Sequence, residues 1–323
     1  MGWWRISTDT LAGSRFVVSP LAETVASLKV LHGGRAADPG GRAWLDAHLP
    51  AYRARLAGDP VTALTVRAAL GRTWNADFLT PTPTGTEETF EQELARVRDT
   101  PPAAAREHLT VSLAGPLPAA LHREDLAQRT ADLLAWVWTG TVLPSWPRRR
   151  RIIEADVLAR TAQLTRGGWA QALDGLRPGT RWLGDGRLQV NNHAYPPREV
   201  SGAQLLFVPI TQKAGWVSWD EDGRRFALTY PCAGTLADAD RTAAPDALAR
   251  LLGPGRATVL VLLDTPKSTT QLTALTGQVL GSVGRHLKVL HDAGLVARRR
   301  DGRSVLYYRT AAGDVLVTAQ RPS

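Results

Sequence analysis

Apolar residues recur at helical spacing through the first 180 or so residues of the chain. After Ser19 and Pro20, leucines and valines follow three or four positions apart, and Gly33 and Gly34 end the run. A hydroxyl before proline favours a helix start, and glycine commonly follows a helix end. Similar patterns predict further helices over roughly 43–57, 61–71, 87–98, 119–139 and 149–174.

The hydrophobic period shortens between about Trp182 and Cys232. The segments GRLQVN, AQLLFVPI, GWVSWD and RRFALTYPC are short, rich in aromatic or β-branched residues, and separated by turn residues, which is typical of strands. The following stretch is rich in Ala, Asp, Thr and Gly, so we place a domain boundary near Arg241. The predicted fold class is mainly α with small β elements. A helical domain over 1–240, with its β-containing part near 182–232, precedes a second domain over 241–323.

The second domain contains two helical patterns and a predicted hairpin. From Ser268 the chain runs STTQLTALTGQVLGSVGRHLKVLHDAGLVARRRDGRSVLYYRT, with Gly277 in the turn between the helices and strand-like flanks around Asp301 and Gly302. The second helix, from about Val279 to Ala293, has one aliphatic stripe that must pack inward, and Gly294 is expected to cap its end in a left-handed conformation. These parts together predict a C-terminal winged helix-turn-helix, which binds duplex DNA.

Polar and basic side chains would face outward from these elements. Arginine can bond guanine bidentately, and serine or histidine can contact base edges or phosphates. Arginines on the hairpin would add affinity through the backbone with little sequence information. The predicted DNA-binding residues are Ser282, Arg285, His286, Lys288, Arg298, Arg299, Arg300, Arg303 and Tyr307.

Residues from roughly 245 to 310 resemble the DNA-binding core of ArsR/SmtB-type bacterial repressors. The segment SVGRHLKVLHDAGLV matches that family's Ser/Thr-rich helix start, its HLKxL motif and its xxAGLV motif. The segments RFVVSPLAETVASLKVL and TYPCAG resemble a group of larger regulators from high-GC bacteria, in which an uncharacterised helical domain comes first. The resemblance implies a homodimeric repressor that binds an imperfect inverted repeat and releases it when an effector binds.

The chain departs from the metal-sensing members of that family. Those members carry a CVC-type cysteine pair where this sequence has Ser268 and Thr270, and neither is a soft-metal ligand. The family's other site uses His and carboxylates on a C-terminal dimer helix, but only GDVLVTAQRPS remains here, without His. We therefore expect no metal site and no cofactor. Because the C-terminal helix of the family is missing from this sequence, we expect dimer contacts from the helix near 246–252 or from the first domain.

Charge and composition support a polyanionic partner for the second domain. After residue 240 there are twelve Lys or Arg against five Asp, so most of the net charge of +9 lies in the last quarter of the chain. Cys232 is the single cysteine, no apolar run approaches the length of a membrane span, and the N-terminus lacks a signal-peptide pattern. We expect a cytoplasmic protein.

Two other interpretations remain open at this stage. The winged helix could be a protein-docking module beside a first domain that binds a small molecule. All eleven tryptophans precede residue 220, and they either build a core or line a pocket for a small organic effector. The phosphate-loop, dinucleotide-binding, HExxH and GxSxG motifs are absent, so the sequence does not predict an enzyme.

Overall fold

The chain is mainly helical with small sheets, one of them near the C-terminus. The structure is a computed structural model that describes residues 2–36, 39–173, 176–193, 195–232, 245–263, 266–276, 278–301 and 304–319. Contacts divide the chain into two compact units, Met1–Pro147 with Gly167–Cys232 and Arg148–Arg166 with Ala233–Ser323. The predicted boundary near Arg241 lies outside the described residues.

Helices occupy most of the first 173 residues. They are α1 Thr8–Ala12, α2 Pro20–Gly33, α3 Pro39–Ala57, α4 Pro60–Ala69, α5 Phe90–Arg98, α6 Pro102–Leu113, α7 Leu126–Val137 and α8 Trp146–Leu173. The caps predicted for α2 are confirmed, since the Ser19 side chain accepts from the Ala22 N–H and Gly34 is left-handed at φ 60°. Helix α8 is interrupted at Gly168, whose φ of 69° and ψ of −173° are not helical.

The predictions for the helical part were wrong at two places. The sequence pattern predicted no helix between 98 and 119, where α6 forms. Pro102 instead begins the helix, a position at which no N–H is needed for a helical hydrogen bond. The segment predicted over 119–139 begins with a single 3₁₀ turn, Ala119–Leu121, and α7 starts only at Leu126.

The first unit also contains two four-stranded sheets. Their strands are β1 Trp3–Arg5, β2 Arg15–Phe16, β3 Arg181–Gly184, β4 Arg187–Gln189, β5 Arg198–Glu199, β6 Gln204–Ile210, β7 Trp216–Asp220 and β8 Arg225–Pro231. One sheet has the order β3-β4-β1-β5 and the other β2-β6-β8-β7. Strands β1 and β5 are parallel, as are β2, β6 and β8, whereas β7 is antiparallel to β8.

Strand β6 is buried on both faces, which explains its continuous apolar sequence. Leu206, Val208 and Ile210 pack into the core of the helical layer. The alternate residues Leu205 and Phe207 pack into a second core that includes Trp4 of β1. The β-containing part predicted near 182–232 is confirmed, and its sheet β2-β6-β8-β7 lies between the helical core and the core that contains Trp4 of the other sheet.

The second unit ends in helices and a three-stranded sheet. Beyond residue 244 its elements are α9 Asp246–Leu252, α10 Pro254–Leu262, β9 Lys267–Ser268, α11 Thr269–Thr276, α12 Leu280–Asp292, β10 Val296–Asp301, β11 Ser304–Arg309 and α13 Ala311–Thr318. The sheet has the order β10-β11-β9. A C-terminal helix was not expected, yet α13 forms with Thr310 as its cap.

The left-handed cap predicted after α12 is confirmed, with Gly294 at φ 71° and a hydrogen bond from the Leu295 N–H to the Leu290 carbonyl at 3.0 Å. Within the described ranges, no helix is both long and apolar enough to cross a membrane. The same ranges contain no group of three or more His, Cys, Asp or Glu side chains placed to hold a metal ion.

Candidate nucleic-acid interface

Helix α12 is amphipathic, as its sequence predicts. Val283, Leu287 and Leu290 are buried and belong to one core with Leu260 of α10 and Leu272 of α11. This core fixes the orientation of α12, because a rotation of the helix would expose its aliphatic stripe to water. The side chains on the opposite side are therefore held outward.

Arg285 and Lys288 occupy that outward side. They are three residues apart, so they lie on the same face of α12, and both are exposed. The structure places no carboxylate of its described residues within the 4.0 Å ion-pair distance of either cation. Asp292, the carboxylate of α12 itself, lies instead 3.8 Å from His291 Nδ1. Among the described residues, neither cation on this face has an ion-pair partner.

His286 and Ser282 have a different environment from the one expected. Both are half-buried, with His286 Nε2 lying 3.5 Å from Ser282 Oγ. A Cβ atom added at Gly255 would lie 2.6 Å from His286 Nε2, so the imidazole packs against the first turn of α10. Burial, followed by the charges of Arg256 and Arg285, lowers the pKa of His286, which favours the neutral ring at physiological pH. His286 helps to join α12 to α10, and Ser282 contacts its imidazole within α12.

The basic hairpin, β10 with β11, presents its arginines on two faces. Arg298 lies opposite Tyr307 and Arg299 lies opposite Leu306. Because side chains alternate along a strand, Arg298 and Arg300 share one face with Tyr307, and Arg299 is on the other. All three arginines are exposed, whereas Tyr307 is half-buried against the core of the unit. Arg303, which the sequence also assigned to this site, lies outside the described residues.

Two glycines inside α12, Gly281 and Gly284, were not among the predicted site residues. No described atom outside the helix's own backbone would lie within 4 Å of a Cβ at Gly281 or Gly284, so internal packing does not require glycine there. Glycine inside a helix costs about 0.5–1 kcal/mol relative to alanine. These positions leave the helix surface flat, and a glycine within a helical pattern is the sequence signal that could have identified them.

The start of α12 adds to this accessible surface. Val279 caps the helix without a side-chain hydrogen bond, and the side chains of Val279 and Leu280 are 74% and 57% exposed. The first-turn N–H groups of a helix attract anions when no side chain satisfies them. The helix therefore offers backbone donors, a flat surface and two cations along one side.

Comparisons of the chain with family models, with curated proteins and with solved structures gave no match. The functional interpretation is therefore based on the residues of this surface.

Proposed function

We propose that the protein is a cytoplasmic, homodimeric transcriptional regulator of the ArsR/SmtB type, most simply a repressor, that binds a double-stranded DNA operator. In this proposal the second unit is a winged helix-turn-helix, in which α11 and α12 are the helix pair and the basic hairpin is the wing. The protein is not an enzyme, and its action requires no metal or other cofactor. The observation that supports the proposal most directly is the face of α12, where Arg285 and Lys288 are exposed without a described carboxylate partner.

Exposed cations suit a phosphate backbone, because each phosphate contact releases condensed counterions. In this arrangement Arg285 contacts a base edge in the major groove, and Lys288 and the hairpin arginines contact phosphates. The flat surface at Gly281 and Gly284 allows the start of α12 to approach the DNA closely. In a two-fold dimer the two α12 helices would enter major grooves about 34 Å apart.

A titration of the full chain with two fluorescent duplexes tests this proposal. One duplex carries the region upstream of the protein's own gene, and the other is a scrambled sequence of the same length. Arg285→Ala should weaken binding to the first duplex by about 1–3 kcal/mol and leave binding to the second nearly unchanged, since a base contact is specific. The Arg42→Ala variant removes an exposed arginine of the first unit and is the matched control.

The hairpin should behave differently in the same titration. Arg299→Ala combined with Arg300→Ala should weaken binding to both duplexes alike and reduce the salt dependence by about one unit for each lost phosphate contact. Binding of the double variant that equals the parent's at every salt concentration would contradict the role given to the hairpin.

A protein-docking module is the second candidate, and the exposed apolar side chains of Val279 and Leu280 favour it. The salt series separates the two functions. A chain that binds neither duplex at low salt, but retains a folded second unit, would support docking and reject the DNA-binding proposal.

A further inference from the structure

The first unit contains a cavity of about 540 Å³ that the proposed DNA-binding surface does not include. Its volume is within the range of about 300–1,000 Å³ typical of small-molecule sites. Five tryptophans contribute to its wall, together with polar and cationic side chains from segments far apart in the sequence. These tryptophans are Trp3, Trp4, Trp74, Trp216 and Trp219.

Two cationic side chains lie close together in the wall. Lys29, from α2, donates from Nζ to Asn75 Oδ1 at 2.8 Å, and its Nζ lies 5.7 Å from the centroid of the Trp216 ring. Arg177 donates from Nη2 to the Val190 carbonyl oxygen, while its Nε is buried and has no acceptor among the described residues. In the part of the chain that the structure describes, no carboxylate is within ion-pair distance of Lys29 or Arg177.

The surroundings of Lys29 and Arg177 disfavour the charged form of both side chains. Burial, and then the charge of Arg177, lowers the pKa of Lys29 to about 8, and burial lowers the pKa of Arg177 to about 10. Both groups nevertheless remain mostly protonated at neutral pH. Two neighbouring, partly buried cations that lack a described anionic partner are unfavourable, and a bound anion would relieve this.

The position of Arg177 is fixed by its backbone neighbours. A Cβ atom at Gly215 would lie 3.2 Å from Arg177 Cδ and 2.8 Å from the Thr229 carbonyl oxygen. The Thr229 carbonyl thus excludes a side chain at position 215, and the Arg177 stem packs against this glycine. The side chain is held in the cavity wall by packing as well as by its hydrogen bond.

The aromatic part of the wall is a connected group of rings. Trp74 meets Tyr195 and Trp219 edge-to-face, with centroids 5.3 Å and 5.2 Å apart. The Arg198 guanidinium carbon lies 3.8 Å from the centroid of the Trp219 ring, and Trp74 Nε1 donates to Asp77 Oδ1 at 3.1 Å. Such rings are an apolar surface of fixed shape, suited to a flat ligand.

The balance of charge along the wall is positive. Among the described residues of the wall, Asp77 is the one carboxylate, and burial raises its pKa. Against it stand the cationic side chains of Lys29, Arg72 and Arg177, while a fourth, Arg198, pairs with Glu221 at 3.0 Å. The cavity therefore combines an excess of positive charge with an aromatic surface.

We infer that this cavity binds a small organic anion that carries a flat unsaturated ring system. Its carboxylate or phosphate contacts Lys29 and Arg177, and its ring lies against Trp74 and Trp219. The inference does not depend on DNA binding, because every residue that supports it belongs to the first unit.

Calorimetric titration of the full chain at neutral pH with three probes tests the inference. The probes are 2-naphthoate, its neutral analogue 2-naphthamide, and inorganic phosphate, which has charge without a ring. We expect naphthoate to bind at least about tenfold more tightly than either of the other two. Equal affinities for naphthoate and naphthamide, or no binding of naphthoate, would overturn the inference.

Variants locate the bound probe. Lys29→Met and Arg177→Met should each weaken naphthoate binding by about tenfold or more while changing naphthamide binding little, whereas Trp74→Leu should weaken both. Arg42→Met, which removes an exposed arginine elsewhere in the unit, should bind naphthoate like the parent. If Arg177→Met fails to fold, the test relies on Lys29→Met. This variant should fold, because methionine is a good helix former and position 29 lies within α2. Naphthoate binding that is unchanged in Lys29→Met would place the probe outside this cavity and refute the inference.

Discussion

Replacing Lys29 with methionine should stabilise the protein at neutral pH, although it removes a hydrogen bond and a charge. The ammonium group of Lys29 lies in the cavity wall beside Arg177, and burial and this neighbour lower its pKa from 10.5 to about 8. The folded state therefore favours the neutral amine more than water does. Methionine keeps the length of the side chain and carries no charge.

The size of the effect follows from the pKa of Lys29. A decrease from 10.5 to about 8 corresponds to about 3 kcal/mol of destabilisation of the protonated form, at ~1.36 kcal/mol for each pKa unit. Water reaches the half-buried side chain, and the variant loses the hydrogen bond to Asn75 Oδ1. Both reduce the gain, so we expect Lys29→Met to raise the free energy of unfolding by about 1–3 kcal/mol.

The stability advantage of Lys29→Met over the parent should decrease as the pH rises. Below pH 8 both the folded and the unfolded parent hold the proton on Lys29, and the cost of the buried charge is present in full. Between about pH 8 and pH 10.5 the folded parent releases the proton before the unfolded parent does, so the parent gains stability relative to the variant. Above pH 10.5 the difference should vanish.

Urea unfolding followed by tryptophan fluorescence measures this difference. All eleven tryptophans belong to the first unit, so the signal reports on the unit that contains Lys29. Parent, Lys29→Met and the control Arg42→Met are compared at about pH 7 and about pH 10. A Lys29→Met variant that is less stable than the parent at about pH 7, or an advantage that persists unchanged at about pH 10, would refute the reasoning.

Two further substitutions test other parts of the structure. Burial raises the pKa of Glu93, whose Oε2 accepts from the Leu21 N–H at 2.7 Å, from 4.5 to about 7. The free energy of unfolding should therefore fall as pH rises from 4.5 to about 7. Glu93→Gln should remove up to about 3 kcal/mol of that fall, as measured by urea titrations across this range. A pH profile that the substitution leaves unaltered would contradict this. Gly284→Ala should raise the stability of the second unit by up to about 1 kcal/mol, measured by circular dichroism, yet weaken binding to the upstream duplex. Tighter DNA binding by this variant would show that α12 does not approach DNA at that point.

Local chemistry explains which elements the sequence could predict. The limits of α2 follow from Ser19, Pro20 and Gly34, whose effects act within one helical turn. Strands β1 and β2 have only three and two residues, too few for a period, and their partners in the sheets are nearly 200 residues away. Nothing near these strands in the sequence indicates that pairing.

The same distinction applies to the sites. The outward position of Arg285 and Lys288 follows from the aliphatic stripe of α12 alone. The burial of His286 depends on Gly255, on another helix, and could not be predicted from α12. The cavity could not be predicted from the sequence at all, because Lys29, Trp74 and Arg177 come together only through the packing of separate segments.

The register of the basic hairpin determines which groove width the hairpin can fit. Consecutive arginines at 298, 299 and 300 cannot act as a single cluster, since the pleat sends the middle one the opposite way. A hairpin inserted edge-on between two sugar-phosphate strands would touch both, with two guanidinium groups toward one strand and one toward the other. The spacing between the strands, rather than the base sequence, would then decide where this part of the protein settles.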